Sequence, residues 1–174
     1  MAMVRMDVGA VVVGGGPVPS MVVLRRRGSS EGEAAPELPI RIGRAEAAVI
    51  GMASGGAPGG RPMTMDLFST AIDALGGRVA SVAVVKVDGT TFHASVNLVD
   101  AEGSSHAIDA RPSDAVALAV RTKAPIYADQ SVLDVAALPA LDEVEREEEA
   151  AAELEEFRAF VAGLSPDDFA GPEA

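Results

Sequence analysis

Two stretches of this chain bring an arginine, a hydroxyl and a carboxylate close together: Arg61-Pro62-Met63-Thr64-Met65-Asp66 and Asp109-Ala110-Arg111-Pro112-Ser113-Asp114. In each, a proline stands where it favours the first turn of a helix, and the free backbone N–H groups of a first turn attract anions. Arginine can grip a phosphate through two parallel hydrogen bonds. One or two carboxylates suffice to hold Mg²⁺ or Mn²⁺, with Asp109 and Asp114 as the candidate oxygen donors. A metal so held activates water and stabilises charge on a phosphodiester. The same residues also meet a plainer need. Proline at the first helical position, Ser or Thr as cap and Asp against the helix dipole are what any helix start requires. From spacing alone, that requirement is the more economical account.

The other polar candidates are weaker. His93 falls inside a strand-like run and His106 lies three residues before Asp109, and both read as strand residues rather than ligands. Gly14-Gly15-Gly16 and the run from Gly55 to Gly60 lack the spacing and the trailing lysine of a phosphate loop, so they read as turns.

Several elements must position these motifs. Val8–Val13 and Met21–Arg25 read as strands of a hairpin around a Gly/Pro turn, Arg27–Glu37 as a loop, and Leu38–Ile42 as a third strand. A helix is expected from about Arg44 to Ala53, closed by the glycine run. A second helix starts after Pro62 with Thr64 as its cap, carries Leu67, Ala71, Ile72 and Leu75 on one face, and stops at Gly76-Gly77. Val79–Val87 and Thr91–Val99 flank Asp88-Gly89, a dipeptide favoured by tight hairpins. His106–Asp109 is a further strand, Pro112 opens a third helix, and Ile126–Ala128 returns as a strand after Pro125. Glu46-Ala47 and Asp114-Ala115 both stand early in a helix entered from a strand. That echo suggests a duplicated plan: an α+β fold of repeated strand-helix-strand units, a mixed sheet and helices packed upon it.

Composition sets the outer limits. A chain of 174 residues suits one core, and with 48% apolar but only 3% aromatic residues that core must be built from Val, Ala, Leu and Ile. Without cysteine there is no disulfide, thiolate metal site or cysteine nucleophile. Asp7, the Gly/Pro break and Pro19 interrupt any signal-peptide run, and no stretch approaches a membrane span, so a cytoplasmic, non-membrane protein is expected. The formal charge is −12, but from Asp142 onward twelve acids face only Arg146 and Arg158, which leaves residues 1–141 nearly neutral. Such a balance leans against tight binding of nucleic acid, although the repulsion sits mostly in the tail. The chain therefore divides into a domain over 1–139 and an acidic helical tail over 140–174. In the tail, Leu154, Phe157, Val161 and Leu164 form a narrow apolar stripe suited to its own domain, a second copy or a protein partner.

At these motifs the sequence resembles the bifunctional nuclease domain family. The matching text is Leu38-Pro39-Ile40 with Ile42-Gly43 and Glu46-Ala47, then Arg61-Pro62 with Thr64 and Asp66-Leu67. It continues with Asp109-Ala110-Arg111-Pro112-Ser113-Asp114-Ala115, Ala117-Leu118-Ala119 and Ala124-Pro125-Ile126-Tyr127. The resemblance implies a duplicated α+β fold, a nuclease acting on DNA and RNA, and self-association as a homodimer or other homo-oligomer. On that footing Glu46, Asp66, Asp109 and Asp114 are expected around a divalent metal, with Arg61, Arg111, Thr64 and Ser113 on the substrate. One position departs from the pattern. The family reads Arg-Pro-x-Thr-His-Asp-Leu, and Met65 stands here in place of the histidine. A thioether neither takes a proton near neutral pH nor binds a hard cation, so reduced or lost activity is expected, and the alternative function is a non-catalytic regulatory or assembly module.

Overall fold

Three Val-, Leu- and Ile-rich runs separated by turn residues open the chain as an antiparallel meander: β1 (Met3–Val12), β2 (Ser20–Arg26) and β3 (Glu37–Ile42). The computed structural model describes residues 2–15, 17–28, 36–54 and 61–138. From β3 the chain passes through Gly43 into α1 (Arg44–Ser54), and after the glycine run comes α2 (Thr64–Ala74). A second meander then repeats the plan: β4 (Arg78–Asp88), β5 (Thr91–Val99) and β6 (Ser105–Ala110), leading into α3 (Pro112–Thr122). The Asp88-Gly89 turn forms as expected, with Gly89 at φ 58°, a conformation that glycine adopts without steric cost. Last come β7 (Ile126–Asp129) and α4 (Gln130–Ala136), a helix that the sequence reading did not anticipate.

The seven strands of the described residues form one mixed sheet in the order β3-β2-β1-β7-β4-β5-β6. Each meander runs outward from the middle, and β7 fills the gap between them, antiparallel to β1 and parallel to β4. The expected α+β class and duplicated units are present, each unit being a three-stranded meander that enters a helix.

The core lies between the sheet and the helices. Met6, Val22, Leu24, Leu38 and Ile40 come from the first meander, Val82, Val84, Ala94 and Val96 from the second, and Ile50, Val116 and Leu118 from the helices. Ala47, Ala115, Ala117 and Ala119 are all buried where α1 and α3 meet the core, as a composition poor in aromatics requires. α2 sits differently. Of its expected inward face only Ile72 is buried, whereas Leu67 is 63% and Leu75 82% exposed. Met65 and Ile72, two turns apart, make the inward side instead, so the stripe is rotated from the one expected.

Among the described residues no helix is long and apolar enough to cross a membrane. The expected tail helix, the run from Gly55 to Gly60 and most of the expected loop before β3 lie outside the described residues.

Candidate active site

The two units meet at the starts of their helices. Gly43 O accepts the Ala47 N–H at 3.0 Å and Arg111 O accepts the Ala115 N–H at 3.0 Å, so Gly43 and Arg111 occupy equivalent places just before α1 and α3. Glu46 and Asp114, each the third residue of its helix, are likewise equivalent. Glycine at position 43 has a steric reason, because a Cβ there would collide with Glu46 Oε2. Glu46 thus lies back over its own helix start, where it meets the arginine of the other unit.

Arg111 links both acids. Its Nε donates to Asp114 Oδ2 at 2.7 Å, its Nη2 to Asp114 Oδ1 at 3.1 Å and its Nη1 to Glu46 Oε1 at 3.2 Å. The two-point contact with Asp114, followed by that carboxylate's charge, raises the guanidinium's pKa above its ordinary value and keeps it cationic. Because Arg111 remains exposed on its outer side, an anion can reach it. Glu46, Arg111, Ser113, Asp114, Thr64 and Met65 all line one groove of about 280 Å³. On the other side of Arg111 a second groove, of about 390 Å³, adds Arg41, Gly43, Thr90 and Thr91.

Other expected site residues lie elsewhere. Asp66 turns away: its Oδ2 accepts the Met63 N–H at 2.9 Å and its Oδ1 receives Arg121 Nη1 at 2.6 Å. It holds the start of α2 and ties that helix to α3 through an arginine whose side chain is only 9% exposed. Thr64, expected as the cap, is instead the first helical residue. Met63 occupies the cap position with extended backbone, and Asp66 reaches back to serve the orphan donor that a threonine hydroxyl would not. On β6, Ile108 faces the buried Val96 and Asp109 faces Ser95, so strand alternation directs Asp109 away from the helices. It still borders a third groove, of about 460 Å³, that also reaches Asp114. Arg61 is exposed at the entry to α2.

Both histidines behave as strand and turn residues. His93 stands beside Lys86 in the β4–β5 ladder. His106 Nε2 lies 2.7 Å from Asp100 Oδ2, and this hydrogen bond, with those from the turn backbone, lowers the Asp100 pKa.

Among the described residues no three His, Asp or Glu side chains gather in a way that could hold a metal ion. The donor set fits Mg²⁺ or Mn²⁺ only in its sparse mode, with one or two carboxylates and the remaining shell supplied by water and phosphate. Arg121, Met63 and Gly43 were missed as contributors. Arg121 had a legible signal, a charge three residues past Leu118 on a largely apolar helix. The role of Gly43 depends on where Glu46 folds.

The comparison with known proteins places this chain in the bifunctional nuclease domain family. The chain belongs to that family, with its family model matching residues 22–140. Two Mycobacterium tuberculosis proteins are similar to it: "Uncharacterized protein MT1877" of strain CDC 1551 / Oshkosh and "Uncharacterized protein Rv1829" of strain ATCC 25618 / H37Rv. Each is 40% identical over 135 residues, covering 76% of this chain and 80% of the relative.

Proposed function

We propose that this chain hydrolyses phosphodiester bonds in DNA or RNA at the groove shared by Glu46, Arg111 and Asp114. The observation that carries this reading is the convergence of both helix starts on one exposed, firmly cationic arginine. Membership of the nuclease-named family supports it. In this mechanism Arg111 exchanges part of its carboxylate contact for a phosphate oxygen, and Ser113 with the first N–H groups of α3 orients the same phosphate. A carboxylate relieved of Arg111, Glu46 or Asp114, takes the proton from the attacking water. Mg²⁺ or Mn²⁺ would be held by Asp114 with Glu46 and would supply Lewis-acid charge. Met65 stands beside Asp114 in the same groove, so the family's histidine would have met the reacting phosphate there.

A second reading has its own observation. Arg111 with Glu46 and Asp114, and Asp66 with Arg121, already form ion pairs within the chain, as a purely structural network does. The domain would then be a regulatory or assembly module.

Cleavage of labelled single- and double-stranded DNA and RNA, with Mg²⁺ or Mn²⁺, separates the two. Loss of activity on the order of 10²–10³-fold in Arg111→Ala and in Asp114→Ala, with a gain in Met65→His, is the nuclease outcome. Absence of cleavage in all forms, Met65→His included, sinks it.

A further inference from the structure

The groove in which Arg111, Glu46, Ser113 and Asp114 form an ionic side has a second side of another kind. Ala45 and Val49 of α1, Met63 and Met65 at the start of α2, and Ala117 of α3 make it apolar. Ala45 and Val49 stand one helical turn apart, as do Ser113 and Ala117, so the apolar side continues from the ionic one along both helices. Ala117 is 2% exposed, and Val49 and Met65 pack on the hydrophobic core, which makes this wall a firm one. Met63 caps α2 through its backbone N–H, held by Asp66, and its side chain takes no part in the cap. Among the described residues lining the groove Arg111 is the one cation, against the two carboxylates of Glu46 and Asp114. One phosphate can be held there and a second cannot. The remainder of the volume, about 280 Å³ in all, suits an uncharged, largely apolar group attached to that phosphate.

We propose that the apolar side receives one unpaired nucleobase of the strand whose phosphate Arg111 holds, so that the site selects single-stranded polynucleotides. The proposal rests on the nucleolytic reading above and names the substrate class of that same site. A base has two apolar faces, and thioethers suit them, being polarizable, adaptable in shape and favourable against aromatic rings. Met63 and Met65 supply two such groups on one wall, while the small side chains of Ala45 and Ala117 leave width for a ring. In a duplex both faces of a base are covered by its neighbours, and the base must be unstacked and swung out before it can enter. An unpaired strand offers its bases without that cost. Met65 thereby has work of its own in the groove, contact with a base, at the position where the family pattern has histidine.

NMR titration of the full chain, with its seven methionine methyl groups isotopically labelled, tests this without requiring turnover. Adenosine monophosphate should shift the Met63 and Met65 methyl resonances through the ring current of its base, and should bind at least about tenfold tighter than ribose phosphate, which lacks the base. Arg111→Ala should weaken both compounds. Met63→Ala combined with Met65→Ala keeps the backbone cap and a good helix former, and should bring the two compounds to within about twofold of each other. A single-stranded oligonucleotide should bind at least about tenfold tighter than its duplex. Equal affinity for the two small compounds, a preference that survives the double methionine variant, methyl shifts confined to other methionines, or equal affinity for single strand and duplex would overturn the proposal. Cleavage of nucleic acid without any base preference would overturn it while leaving the nuclease reading intact. Base preference without cleavage would support the base site and sink that reading.

Discussion

In the unit made by β1, β2, β3 and α1 the residue entering the helix is Gly43; in the unit made by β4, β5, β6 and α3 it is Arg111. Both units keep an acid at the third helical position, but only the second supplies a guanidinium, and that one group serves both acids. The missing Cβ at position 43 is what lets Glu46 lie over its own helix start. A repeated fold can therefore build a single asymmetric site by giving one copy the functional group and the other the space. The outer strands differ in the same spirit, since β3 is closed by Pro39 and Leu138 while β6, among the described residues, pairs with β5 alone.

The comparison can be broken at its strongest point by Asp66→Asn. That change removes the ion partner of the nearly buried Arg121, whose Nε and Nη2 have no hydrogen-bond partner among the described residues. It should cost about 3 kcal/mol in urea unfolding, because a buried charge is left unpaired. A loss below about 1 kcal/mol would show that α2 does not depend on this tie. Gly43→Ala acts at the seam between the units. The added methyl pushes Glu46 off Arg111, and since a flexible side chain can yield, stability should change little while cleavage falls about tenfold, the worth of one hydrogen bond to a charged group. Unchanged cleavage would detach Glu46 from the site.

Asp129→Ala tests the segment that joins the units. Asp129 Oδ1 accepts both the N–H and the hydroxyl of Ser131, which lowers the carboxyl pKa below its ordinary value of 3.8 and caps α4. A carboxylate with a depressed folded-state pKa contributes stability that is complete above its unfolded value and is lost as the pH falls through the folded one. Wild type should thus be more stable than the variant at neutral pH, with the gap closing as the pH falls below 3.8 in acid denaturation. The smallest effect is expected for Lys123→Gly. Lys123 ends α3 at φ 56°, a left-handed conformation that disfavours side chains, so glycine should add about 0.5 kcal/mol in thermal unfolding.

Much of this was legible along the chain. Val- and Ile-rich runs marked the strands, Asp88-Gly89 marked a hairpin, and the two Arg-Pro dipeptides marked the starts of α2 and α3. Arg111, Ser113, Asp114 and Thr64, named from their types and spacing, and Glu46, named from the family resemblance, do share one groove. What escaped was set by contacts distant in sequence. The rotation of α2 follows from Met65 and Ile72 meeting the core, which leaves outside the Leu67 and Leu75 that a helical wheel places inward. Asp66 read as a metal ligand because its partner Arg121 is far along the chain. Asp109 points away from Asp114 because its direction is fixed by the β5–β6 register, which spacing to the next helix does not reveal. The order of strands was equally hidden, since nothing local to Ile126–Asp129 says that it lies between β1 and β4.

That insertion has a consequence for how the chain is made. Each meander pairs neighbouring strands and can form as soon as it leaves the ribosome, but β1 finds its inner partner only when Ile126–Asp129 has been synthesised, and the parallel pairing with β4 waits for the same residues. The two halves are therefore clasped by a late segment, and nascent chains halted before Ile126 should remain far more sensitive to protease than chains released after Leu138.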